Sequence, residues 1–149
     1  MGLFDIFKGK PPESKIRERV LAYCPTLVAN ARPSVQRRFG SQADAFDSEM
    51  ASYTALGVLL TFVAAHVADE ARSHPVTMAV LDYASAHGIQ REAVAVVHAR
   101  LKVNFDSGGR LTALPADIRT DLAAISPEHS NVFTDIVADI ESSITRLLQ

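Results

Sequence analysis

A chain of 149 residues with 48 % hydrophobic and 21 % charged side chains is too rich in core-forming residues to be disordered, and it is long enough to bury roughly 68 to 70 % of its unfolded surface in one packed core. Its single cysteine, Cys24, excludes an internal disulfide and gives no sign of an oxidising compartment, so a cytoplasmic location is expected. The net charge of −2 divides into +5 over residues 1–40 and −7 over residues 41–149, which argues against a nucleic-acid binder with a broad basic face and leaves one basic patch near the N-terminus.

The chain opens on MGLFDIFKGKPP. Asp5 interrupts the apolar stretch and no small-residue cleavage site follows, so no secretory signal is read here; Ile6 stands where a myristoylation signal needs Ser or Thr. Leu3, Phe4, Ile6 and Phe7 cluster on one side of a short helix, and Lys8, Lys10, Lys15, Arg17 and Arg19 follow. Large apolar side chains beside cations suit a groove on a partner, an anionic membrane surface, or the domain's own core. Residues 1–12 are therefore read as an amphipathic leader, with Leu3, Phe4, Ile6, Phe7, Lys8 and Lys10 as candidate docking residues, and residues 13–149 as one helical domain.

Beyond the Pro11–Pro12 pair, Ile16, Val20 and Leu21 recur at helical spacing with Lys15, Arg17, Glu18 and Arg19 opposite. Pro25 is expected to end or kink this helix, TLVANA to resume it, and RPSVQRRFGS to form a short helix or turn closed by Gly40. A long hydrophobic helix follows over about 42–73, ending before Pro75 because proline disfavours a helical conformation at His74. Residues 50–68 contain no formally charged side chain and are just long enough to span a bilayer. Asp47 and Glu49 on one side, Asp69 and Glu70 on the other, and only Arg72 as a nearby cation argue instead for the buried middle helix of a bundle. On this helix Asp47, Thr54, Thr61 and Arg72 fall on one narrow polar strip.

Val76, Ala79, Val80 and Tyr83 mark the next helix, with Gly88 at its C-cap, and Val94, Val97 and Leu101 mark another. Alternation at Leu101, Val103 and Phe105 around the turn DSGG fits either a minor hairpin near 103–113 or a loop. Pro115 opens PADIRTDLAAI. After Ser126 and Pro127, Val132, Phe133, Ile136, Ile140, Ile144 and Leu147 form the clearest apolar stripe in the chain. The fold class is all-α: a single-domain bundle of about six helices around the hydrophobic helix of about 42–73.

Chemistry is sparse. His66, Glu70 and His74 are spaced i, i+4, i+8 and would make a metal-ligating stripe on an unbroken helix. His74 abuts Pro75, His66 projects onto the apolar side, and His87, His98 and His129 have no ligand spacing, so a core or capping histidine is the plainer reading. Cys24-Pro25 resembles the Cys-Pro dipeptide of haem-regulatory sites, yet a dipeptide is too short a motif and cysteine is commonly buried. DSGG lacks the lysine and following helix of a phosphate loop. No catalytic, metal or cofactor set is assigned. The expected function is a non-enzymatic interaction module (adaptor, inhibitor or immunity-type binder, or assembly subunit) with a protein partner or a second copy, no nucleic acid, no transmembrane span and peripheral membrane contact as a further option. The alternative is a metal- or haem-dependent helical enzyme or sensor using His66 and Glu70, joined by His98 or Cys24.

Overall fold

The computed structural model describes residues 13–40, 45–67, 70–105, 111, 115–125 and 127–148. Among them are six helices: α1 Glu13–Phe39, α2 Ala45–His66, α3 Glu70–Ala86, α4 Arg91–Lys102, α5 Ala116–Ile125 and α6 Pro127–Leu148. The all-α bundle around an apolar central helix is the architecture expected from the sequence. The leader residues Leu3, Phe4, Ile6, Phe7, Lys8 and Lys10 lie outside the described residues.

The central element is α2, which packs on α1, α3, α4 and α6. Nearly every side chain from Ala51 to Val63 is buried, on all sides of the helix. This explains why its sequence shows little amphipathicity: a helix wrapped by four others has no solvent face to pattern. It is also long and apolar enough to cross a membrane, with most of its apolar stretch buried inside the bundle.

Two boundaries differ from expectation, and in both a proline expected to stop a helix lies inside one. α1 runs unbroken through Pro25 and Pro33, each removing an N–H that would serve the carbonyl four residues earlier. Both prolines lie on the exposed side, where water can take up those carbonyls, while Val20, Cys24, Leu27, Ala31 and Val35 hold the opposite face in the core. The long helix of about 42–73 is in fact two. α2 ends at His66, and α3, beginning at Glu70, carries His74 and Pro75 in its second turn. Burial of Val76, Ala79 and Val80 outweighs the local preference of a residue before proline.

The ends of the helices follow from their residues. Gly88, at φ 70°, closes α3 with a paired hydrogen-bond turn, Ile89 N–H donating to Ala84 C=O (2.8 Å) and Gly88 N–H to Ser85 C=O (3.3 Å). Only glycine enters that left-handed conformation without strain. Gly40, at φ 56°, follows α1 in the same way. Pro127 begins α6, where its missing N–H costs nothing. The hairpin considered for 103–113 reduces, among the described residues, to one antiparallel bridge between Phe105 and Leu111.

Candidate functional site

The polar strip of α2 turns inward. Asp47, Thr54 and Thr61, seven residues apart, are 6 %, 8 % and 2 % exposed, so each must find a partner in the protein or stand over a cavity. Asp47 meets His129 of α6, with Oδ1 and Nε2 2.9 Å apart and both side chains almost wholly enclosed. The pair joins the first turn of α2 to the first turn of α6. Sequence spacing gave no hint of it, because the two residues are 82 positions apart.

Thr61 makes the second link. Its hydroxyl donates to the Gly57 carbonyl (2.8 Å), which leaves an oxygen lone pair for His98 Nδ1 at 3.0 Å. Because the single hydroxyl proton is engaged, Nδ1 carries the hydrogen and donates, and the neutral ring is left with Nε2 as an acceptor. Burial, aided by the positive charge of Lys102, holds the His98 pKa below its ordinary value of 6.5, favouring that neutral form. The ring borders a cavity of about 350 Å3 between α2, α3 and α4, lined by Ala64, Val67, Ser73, His74, Thr77, His98 and Lys102.

One turn before Thr61, α4 approaches α2 so closely that a Cβ on Gly57 would lie 2.6 Å from the Val97 Cβ. Glycine at this point costs helix propensity of about 1 kcal/mol but lets the two helices meet. That approach brings Thr61 within reach of His98.

His66 and Glu70 are not one turn apart on a common helix. His66 ends α2 and Glu70 starts α3, so the proposed stripe is broken between them. His66 is exposed, and its Nδ1–H donates to the Phe62 carbonyl at 2.8 Å while its ring stacks on Phe62. His87 does the same one helix later, donating to Tyr83 C=O at 2.9 Å and stacking on Tyr83. Both are capping histidines at helix C-termini, where a donor to a terminal carbonyl is favourable. Among the described residues, no three His, Cys, Asp or Glu side chains form a metal-binding group. Cys24 is buried in the middle of α1, and burial pushes its thiol up to about 12, far from the reactive thiolate range.

A second cavity lies on the other side of α4, beneath α5. It measures about 170 Å3 and is walled by Met50, Tyr53 and Thr54 of α2, Val97 and Arg100 of α4, Ile118, Asp121 and Leu122 of α5, and Phe133 of α6. At its mouth Arg100 grips two carboxylates of α5, with Nε 3.0 Å from Asp117 and Nη2 2.8 Å from Asp121. The bond to Asp121 and then that to Asp117 raise the guanidinium pKa, and Arg100 in turn holds the Asp117 carboxyl below its usual range. No protein family, curated protein or solved structure matches the chain.

Proposed function

We propose that this chain is a non-enzymatic protein-interaction module, an adaptor, inhibitor or assembly subunit of the cytoplasm, which docks on a protein partner or a second copy through its N-terminal leader. The observation that carries the reading is the leader's composition: Leu3, Phe4, Ile6 and Phe7 are followed at once by Lys8 and Lys10 and then by a proline pair. Four large apolar side chains can each contribute about 1.5 to 3 kcal/mol where they meet a nonpolar surface. The helical domain supports this reading in that four of its five histidines serve its own architecture. His66 and His87 cap helices, His98 is held by Thr61, and His129 is paired with Asp47.

The test compares the full-length chain with Phe4→Asp and with a variant lacking residues 1–10, by light scattering and thermal melting. Docking on another chain predicts a smaller particle for both variants with the melting temperature nearly preserved. Salt-sensitive cosedimentation of the full-length protein with acidic liposomes, lost in Phe4→Asp, would move the occupant from a protein to a membrane surface. Unfolding of both variants, with no change in mass or liposome binding beforehand, would make the leader part of the core and end the proposal.

A further inference from the structure

The cavity between α2, α3 and α4 draws together hydroxyl, imidazole and ammonium groups from two helices. At about 350 Å3 it falls within the range of about 300 to 1,000 Å3 typical of ligand sites. On α3, Ser73 and Thr77 stand one turn apart and share a face, with His74 beside them; on α4, His98 and Lys102 are likewise one turn apart. Ala64 of α2 and Val67 just beyond it add apolar wall. Among the described residues, His74 is the one histidine without a bond to the protein's own groups.

The character of these groups selects a ligand. Lys102 and the hydroxyls of Ser73 and Thr77 can donate hydrogen bonds, and His74 adds a donor from whichever ring nitrogen carries its proton. No carboxylate stands among the described residues of the wall, so an anion meets no like charge there. His98 differs from the others. With Nδ1–H given to Thr61, its neutral ring offers Nε2 as an acceptor, and the close meeting of α2 and α4 at Gly57 holds the ring in place. Burial of the ring and the Lys102 charge both favour that neutral form. An oxyanion without a proton would turn a lone pair toward Nε2. One that keeps a proton can donate to it while its other oxygens accept from Lys102 and the hydroxyls. Inorganic phosphate keeps such a proton near neutral pH, and sulfate does not.

We infer that the cavity between α2, α3 and α4 is a binding site for a phosphate group that carries a proton, as inorganic phosphate or a small phosphate monoester, with Lys102, His74, Ser73 and Thr77 donating to its oxygens and His98 Nε2 accepting from its P–OH. The cavity is partly open to solvent, which lets a hydrated anion enter and exchange without movement of a helix. None of the leader's candidate docking residues is among these groups, so phosphate binding and leader docking can fail separately.

The test is a titration of the full-length protein, at constant ionic strength and about pH 7.5, with inorganic phosphate and separately with sulfate, followed through amide and methyl chemical shifts. Both anions are tetrahedral and mainly doubly charged there, and they differ in the proton. Saturable shifts with phosphate are expected at Ala64, Val67, Thr77 and His98, half-complete at or below about 1 mM. Sulfate should bind at least about fivefold more weakly, the equivalent of one hydrogen bond. His98→Asn, which keeps a donor for Thr61 but lacks the Nε2 acceptor, should erase that preference. Lys102→Met, at an exposed position, should weaken both anions about tenfold, with circular dichroism verifying that both variants fold. Methyl phosphate at about pH 6, where a monoester holds its proton about half the time, separates the two sources. Affinity equal to or above that of inorganic phosphate assigns the site to a monoester, and a lower one assigns it to free phosphate. No saturable shift at these positions up to about 10 mM phosphate overturns the site, as does unchanged affinity in Lys102→Met. Equal affinity for phosphate and sulfate, or a preference that survives His98→Asn, overturns the role of His98.

Discussion

α2 and α6 are both 22 residues long and both rich in aliphatic side chains, yet the sequence marks them oppositely. α6 has one apolar stripe, from Val132 to Leu147, and an outer face of Thr134, Ala138, Glu141, Ser142 and Thr145. α2 has no such face: of its heptad-spaced polar residues, Asp47 and Thr61 bond to neighbouring helices instead of to water, and Thr54 lines the cavity beneath α5. For a helix at the edge of a bundle, polarity records exposure. For one at the centre it records internal partners, and adjacent positions should then respond to substitution in different ways.

The largest effects should come from this contrast. Leu59→Ala and Leu60→Ala in α2 are both expected to cost about 2 to 5 kcal/mol in urea denaturation, because both side chains are buried although they are neighbours in sequence. In α6, Ile140→Ala should fall in the same range and the adjacent, exposed Glu141→Ala within about 0.5 kcal/mol. A negligible effect at Leu60 would mean that α2 keeps a solvent face after all. Next in size, Asp47→Ala should cost about 1 to 3 kcal/mol by taking a partner from the enclosed His129, and the loss should be mirrored in His129→Ala.

Gly57→Ala sharpens the comparison further, since alanine is the better helix former everywhere but here. Crowding against Val97 should cost about 1 to 3 kcal/mol, offset by about 1 from helix propensity. Adding Val97→Ala should recover part of the loss, and strictly additive effects in the double-mutant cycle would show that the two helices do not meet at this point. The smallest effect is expected from pH. The folded pKa of His98 lies below 6.5, so as pH falls past 6.5 the unfolded chain takes up a proton first. Stability should decline between 6.5 and the lowered folded value, with no contribution from this group above that window. His98→Asn should flatten that slope in thermal melts recorded between pH 7.5 and 5.

Much of this fold is legible from apolar spacing alone. The stripe of α6, the buried Val94 and Leu101 of α4, and the glycine cap at Gly88 stand where periodicity and turn chemistry put them. Proline misleads in both directions, because local rules weigh the lost N–H and not the tertiary burial that compensates it. Pro25 fails to end α1, and the long central helix ends at His66, not just before Pro75. The polar pairs are less accessible to sequence reading. Asp47 with His129 and Thr61 with His98 span 82 and 37 residues, and no local pattern encodes which of five histidines finds which strip residue. The strip is visible in the sequence, but nothing in its spacing says that Asp47 and Thr61 face other helices and not water. Likewise, the ring of residues around Thr54 is drawn from four helices and exists only once they have packed.

The pairing of α1 with α6 sets a timetable for the nascent chain. These two helices are the first and last described elements, and they lie against each other along the face that carries Val20, Leu27, Ile136 and Ile140 in the core. On the ribosome, α1 emerges with that face uncovered, and more than a hundred residues separate its end from the end of α6. At synthesis rates of about 5 to 20 residues per second, the uncovered interval lasts roughly 5 to 20 s. During it α2 can cover one flank of α1 but not the flank reserved for α6, so the seam closes only once α6 has been made, and a chain cut anywhere before Pro127 keeps an open apolar seam.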